Sequence, residues 1–199
     1  MLKIQAEANV PTDYGSFRMI AFSEDETNWM PHIAIVAHNT DFSVPVNVRF
    51  HSECITGEVF HSQKCECGQQ LNAAMKFINE NGGIIVYLRQ EGRNIGSINK
   101  LKAYSLQEQG YDTVEANLQL GLPADDRSFE VAIEILNILD VKEINLLTNN
   151  PEKIKIVKNS NIRFNKRIPL RIDSTAESAG YLKVKEDYFG HLLGDHDNL

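Results

Sequence analysis

The sequence predicts an α/β protein with a layered architecture, in which a β-rich N-terminal part precedes strands and helices that alternate around a mixed sheet. Three observations lead there. Short alternating runs broken by turn residues fill roughly the first fifty positions, the mark of mostly antiparallel strands. From Gly68 the period changes, because Leu71, Ala74, Met75 and Ile78 recur at helical spacing. Apolar β-rich runs and helical segments then follow one another. That order favours a partly parallel sheet, whose ligands sit beyond the carboxyl ends of its strands.

The elements are expected in this order. Strands run around Lys3 to Asn9, Ser16 to Phe22, His32 to Ala37 and Val44 to Phe50, with a turn at Pro11-Thr12-Asp13-Tyr14-Gly15 between the first two. An amphipathic helix begins at Gly68 and stops at Gly82-Gly83. Ile84 to Leu88 is a buried strand, followed at once by the polar loop Arg89-Gln90-Glu91-Gly92-Arg93-Asn94. Helices follow from about Gly96 to Gln109 and from about Arg127 to Leu139, then a strand from Glu143 to Leu147 and a helix opening at Pro151. The tail after Asp173 is polar, with Tyr181-Leu182-Lys183-Val184 as the start of a late element.

Composition narrows the function classes. With 199 residues, 42% of them hydrophobic, the chain can bury a core, and a single domain over residues 1–199 is expected. Twenty Lys and Arg stand against 27 Asp and Glu, a net charge of -7, so no nucleic-acid partner is expected and any phosphate site must be a local basic cluster. No run approaches the roughly 18 apolar residues of a membrane span, and Met1-Leu2-Lys3-Ile4-Gln5-Ala6-Glu7 has no signal-peptide core. The chain is expected to be cytoplasmic, with no membrane partner.

The three cysteines carry the strongest chemical signal. Cys54, ten intervening residues, then Cys65-Glu66-Cys67 places three thiols on two adjacent loops, the second just before a helix. A shared metal suits them better than a disulfide. Structural zinc sites usually close with four protein ligands and catalytic ones leave a position for water, so three ligands lean towards chemistry. Zinc there would bring the pKa of water to roughly 7. His51-Ser52-Glu53 also matches the H-x-E of zinc deaminases, in which the Glu shuttles protons. The C-x-C spacing without a preceding Pro does not support the deaminase fold.

Arg49, Arg89, Arg93, Lys100, Arg127 and Lys153 all read as lying in loops or at element ends. In an acidic chain that concentration suits a polyphosphate, whose oxygens arginine forks match in pairs. Thr148-Asn149-Asn150-Pro151-Glu152-Lys153 is a helix start with Asn150 as cap, and its free N–H groups attract anions. No G-x-x-x-x-G-K-[ST] occurs, which disfavours a P-loop enzyme. Asp125-Asp126-Arg127 reads as an acidic N-cap region.

Taken together, Arg49-Phe50-His51-Ser52-Glu53-Cys54-Ile55-Thr56-Gly57-Glu58, Cys65-Glu66-Cys67-Gly68, Tyr87 through Gly96, Gly110 through Asn117 and Leu146-Leu147-Thr148-Asn149-Asn150-Pro151 closely resemble GTP cyclohydrolase II. The likeness is densest from Arg49 to Leu170 and extends to Ala8–Thr12 and Gly190-His191-Leu192-Leu193. It implies the first step of riboflavin biosynthesis, in which a Zn²⁺- and Mg²⁺-dependent homodimer converts GTP to formate, pyrophosphate and 2,5-diamino-6-(5-phospho-ribosylamino)pyrimidin-4(3H)-one. By the resemblance Cys54, Cys65 and Cys67 hold zinc. Arg49, His51, Ser52, Glu53, Gln70, Glu91, Gly92, Arg93, Thr113, Thr148 and Lys153 contact GTP. Asp125 is the proton acceptor, Arg127 the nucleophile towards the α-phosphorus, and Tyr104 lies near the base.

A guanidinium is a poor nucleophile, since its lone pair is delocalised into a cation with a pKa above about 12. Stabilisation of phosphoryl charge by Arg127, with Asp125 managing a proton, therefore stands beside the covalent role. Lys64, Glu66 and Ser97 depart from the usual Arg, Asp and Leu of the family. A GTP-binding regulator, a structural zinc protein and a variant that opens the ring but keeps the formyl group are the competing readings.

Overall fold

The computed structural model describes residues 1–170. Their strands form one seven-stranded sheet of order β1-β2-β3-β5-β4-β6-β7, mixed as the sequence predicts. β1 (Lys3–Thr12), β2 (Gly15–Ser23) and β3 (His32–Ala37) form an antiparallel meander, and β3 pairs antiparallel with β5 (Ile84–Leu88). β4 (Val46–Ser52) lies parallel to β5 and to β6 (Glu143–Leu147), and β7 (Arg163–Ile168) is parallel to β6. The carboxyl ends of β4, β5 and β6 therefore share one edge of the sheet, where a mixed sheet can present ligand-binding loops.

Alternation along the strands sends neighbours to opposite faces, and each face has its own cover. Phe17, Ile35 and Ile85 pack with Ala74, Met75 and Ile78 of α2 (Cys67–Asn81). Ile20, Phe22, Val48, Phe50, Ile84, Val86, Ile144 and Leu146 pack with Ala132, Ile135 and Leu136 of α5 (Glu130–Ile138) and with Ile154 and Val157 of α6 (Pro151–Lys158). Each fully buried Ile or Phe contributes roughly 1.5–3 kcal/mol, so the three layers hold the β4, β5 and β6 termini firmly.

Four short helical elements surround that edge: α1 (Ile55–Glu58), α3 (Gly96–Gln107), α4 (Thr113–Gln119) and the start of α6. α4 opens on a capping box, with Asp112 accepting from Val114 N and Glu115 N while Glu115 accepts from Asp112 N. Asn150 caps α6 by accepting from Glu152 N, with Pro151 in the first turn, as its sequence predicts.

Several expectations need correction. α5 starts at Glu130 rather than Arg127, and its N-cap position is Phe129. Asp125 caps no helix; its carboxylate accepts from Arg127 N and Nε. Arg49 lies inside β4 and Lys100 inside α3, not at element ends. The expected element at Tyr181–Val184 and the Gly190–Leu193 motif lie outside the described residues. No helix among the described residues is long and apolar enough to cross a membrane.

Candidate metal and nucleotide site

The site grows from the carboxyl end of β4. Glu53 N donates to Leu88 O at 2.9 Å, which prolongs the β4–β5 pairing by one residue. Cys54 then turns out of the sheet and its carbonyl accepts from Gly57 N and Glu58 N of α1. Cys67 opens α2 and Cys65 precedes it by two positions, with its sulfur 3.5 Å from that of Cys54. The three sulfurs all lie within 4.8 Å of one another.

Two glycines permit this convergence. A methyl group on Gly57 would stand 2.7 Å from Cys65 Sγ and 3.4 Å from Cys54 Sγ, and one on Gly68 would stand 2.3 Å from the Gly57 carbonyl. α1 and α2 can cross above the sulfurs only without those side chains. The donor set fits zinc: three soft sulfurs in mutual contact range, with no fourth side chain in the group among the described residues.

Charge is shared unevenly in the trio. Hydrogen bonds from the Cys65 and Cys67 thiols, then the Lys100 ammonium, hold Cys54 far below the ordinary thiol range against the cost of burial. Cys65 and Cys67 are pushed up, chiefly by their hydrogen bonds to Cys54. Lys100 Nζ lies 3.0 Å from Cys54 Sγ and 2.8 Å from Glu91 Oε1.

A cavity of about 480 Å³ opens beside the sulfurs. Its wall includes Arg93 and Arg127, the N-terminus of α4 at Thr113, and Tyr104 of α3. Burial pushes the Tyr104 phenol up to about 12, against the opposing charge of Lys100. Gly92, Arg93 and Asn94 all have left-handed φ, at 63°, 60° and 72°, a backbone cost that sites of function often carry. That loop is tied to the segment before α5 by Asp126 N donating to Arg93 O at 3.2 Å and Asn94 Nδ2 donating to Asp126 Oδ2 at 3.1 Å. Burial raises the Asp125 carboxyl, but hydrogen bonds and charge from Arg127 outweigh it and bring the group below its usual range.

The model of the family described as GTP cyclohydrolase II matches residues 3–169. The chain belongs to the GTP cyclohydrolase II family. Curated relatives called GTP cyclohydrolase-2 are 49% identical over 196 residues in Neisseria meningitidis serogroup C, covering 98% of both chains, and 50% identical over 191 residues in Neisseria gonorrhoeae, covering 96% of both. The Haemophilus influenzae PittGG relative is 46% identical, covering 97% of this chain and 91% of its own. A solved two domain 3,4-dihydroxy-2-butanone 4-phosphate synthase from A. baumannii overlays 86% of this chain and 40% of its own length at a TM-score of 0.46 with 17% identity.

Of the residues expected from the GTP cyclohydrolase II resemblance, Ser52, Glu53, Cys54, Cys65, Cys67, Gly92, Arg93, Tyr104, Thr113 and Arg127 share the cavity wall. Arg49, His51, Gln70, Glu91, Asp125, Thr148 and Lys153 are not on it. Each has partners within the protein. Arg49 donates to Gln70 Oε1 at 2.8 Å and to Leu147 O at 3.3 Å, and burial brings its guanidinium down to about 10 against the charges of Cys67 and Glu58. Lys153 Nζ donates to Phe50 O at 2.7 Å, and Thr148 Oγ1 accepts from Asn150 N at 3.0 Å. Asp125 is ion-paired with Arg127.

Sequence reasoning missed Glu58 and understated Lys100. Glu58 is buried at the centre of a network: Oε1 accepts from Cys54 N at 2.8 Å and meets His51 Nε2 at 2.9 Å, and Oε2 accepts from Tyr87 Oη at 2.5 Å. The signal available was its place four residues after Cys54, within the densest matching stretch.

Proposed function

We propose that this chain performs the reaction for which its family is named: opening of the imidazole ring of GTP with release of formate and pyrophosphate, giving 2,5-diamino-6-(5-phospho-ribosylamino)pyrimidin-4(3H)-one, the first step of riboflavin biosynthesis. The observation that carries the reading is the shared cavity wall of Cys54, Cys65, Cys67, Arg93, Arg127 and Tyr104. It joins a three-sulfur metal cradle to two guanidiniums and an aromatic ring, the donor types a purine triphosphate requires.

Cys54, Cys65 and Cys67 would hold the zinc, which when bound supplies Lewis acidity towards water. Glu53, on the cavity wall and ion-paired with Arg89 at 2.9 Å, is placed to move protons beside the sulfurs. Arg93 and Arg127 meet phosphate oxygens, with Thr113 at the start of α4 beside them on the cavity wall. Asp125 orients Arg127 and, being ionised, can take up a proton from the phosphoryl end. Tyr104 packs beside the base. Arg49, His51, Ser52, Gln70, Glu91, Gly92, Thr148 and Lys153 complete the substrate-contacting and supporting set of this reading. A Mg²⁺ ion travelling with the triphosphate, a homodimer, a cytoplasmic setting and one domain over residues 1–199 belong to the same reading.

Zinc-loaded protein given GTP and Mg²⁺ is expected to release formate and pyrophosphate, read by chromatography of the nucleotide and a formate assay. GTP left intact would end the proposal. A ring-opened product without formate would move the chain to a different activity on the same scaffold.

A further inference from the structure

Lys100 is 8% exposed, and a buried ammonium is costly unless it is well partnered. Its partners form a closed ring. Nζ lies 3.0 Å from Cys54 Sγ and 2.8 Å from Glu91 Oε1, while Glu91 Oε2 accepts at 2.6 Å from Ile55 N, the amide that follows Cys54. Glu91 therefore fixes both the cation and the backbone beside one sulfur of the trio. Burying a hydrophobic side chain at this point of α3 would fill the same space without the desolvation cost, so packing alone does not account for an ammonium here.

Three thiolates around a divalent cation leave excess negative charge, and sulfur donation lowers the electrophilic character that such an ion brings to a site. A hydrogen bond from an ammonium to one of those sulfurs works in the opposite direction. We propose that Lys100, clamped by Glu91, is a positioning residue whose hydrogen bond to Cys54 limits the charge that sulfur gives to the bound metal. The inference rests on the reading that the three cysteines hold zinc, and it goes beyond that reading by giving Lys100 and Glu91 a role in tuning the centre rather than in contacting GTP.

Cobalt(II) substitution reads this directly, because the energy of the sulfur-to-cobalt charge-transfer band follows the hydrogen bonding of the sulfur. In GTP-free protein, Lys100→Met is expected to move the band to lower energy. Glu91→Gln, which leaves the ammonium less compensated and pulls it more strongly onto Cys54, is expected to move the band to higher energy. A merely structural role predicts no opposed pair of shifts. Zinc-loaded Lys100→Met is also expected to lose roughly 10–100-fold in kcat, the usual size for groups bonded to a metal ligand, with a smaller change in KM.

An unmoved band in cobalt-bound Lys100→Met, or shifts of the same sign in both variants, overturns the inference. If Lys100→Met does not fold, Glu91→Gln decides alone, and a band at the wild-type energy overturns it. Wild-type protein lacking any sulfur-to-cobalt band removes the metal reading and this inference together. Wild-type protein that shows the band but leaves GTP intact removes the proposed reaction only.

Discussion

Glu58 places a carboxylate oxygen 2.9 Å from His51 Nε2, joining α1 to β4. The same oxygen receives Cys54 N, and the other receives the Tyr87 hydroxyl. One buried carboxylate thus fixes a strand residue on either side and the backbone of a metal-ligand candidate. Replacement by alanine would leave those groups without an acceptor. Glu58→Ala is expected to lower unfolding free energy by about 3 kcal/mol, while Glu58→Gln, which keeps one oxygen, costs less. Urea denaturation of the two variants measures both.

His51 gives a pH dependence of definite sign. Burial, only partly opposed by the Glu58 hydrogen bond, holds it down to about 4 from 6.5. Between those values the unfolded chain binds a proton that the folded chain refuses. Stability is therefore complete above pH 6.5 and falls as the pH drops towards 4, by up to ~3 kcal/mol. Denaturation of metal-free wild type and His51→Gln across that range is expected to show a shallower slope in the variant.

Gly57→Ala tests the close approach above the sulfurs. Its added methyl would stand 2.7 Å from Cys65 Sγ, and relief of such overpacking costs roughly 1–3 kcal/mol. Because the neighbour that must yield is a sulfur of the trio, the cost is expected to fall on metal binding, at about 10–100-fold in zinc affinity. Competition with a chromophoric chelator reads the affinity, and an unchanged value would show that the crossing of α1 and α2 does not shape the cradle.

Arg127 and Asp125 separate the two roles proposed at the phosphate end. Arg127 is held by its partner through Nε and the backbone amide, a placement that suits a fixed positive charge. Arg127→Lys is expected to keep measurable GTP turnover and Arg127→Ala to lose it, since a cation survives in the first. Equal loss in both, with GTP still bound, assigns the covalent role instead. Asp125→Asn is expected to lower kcat by about 100-fold or more, measured by formate release.

Sequence pattern was most informative where burial repeats regularly. The apolar runs at His32–Ala37, Ile84–Leu88 and Glu143–Leu147 became strands with those bounds, and the Asn150-Pro151 start opened a helix. β7 was not foreseen because Arg163-Phe164-Asn165-Lys166-Arg167-Ile168 is largely polar; its pairing with β6, rather than its own propensity, makes it a strand. α4 was missed as a helix of seven residues, although its capping box is written in Asp112 and Glu115. α5 began late because the Asp125–Arg127 pair keeps the preceding chain out of the helix.

At the site, spacing alone brought the cysteines together correctly, since all three lie on one short stretch. Charged side chains were harder. Arg49, Lys100 and Lys153 look like surface residues by type, and only the fold reveals that they are buried among specific acceptors. Long-range partners such as Glu91 for Ile55 N, or Leu147 O for Arg49, leave no local trace in sequence.

All the sulfur donors sit on the single crossover between β4 and β5, outside the two packed faces of the sheet. Withdrawing an ion from that crossover disturbs no strand pairing and opens neither hydrophobic layer. On the reading that the trio holds zinc, loading the cradle is a local event, and the bare polypeptide is expected to take up its ion after synthesis without being folded a second time.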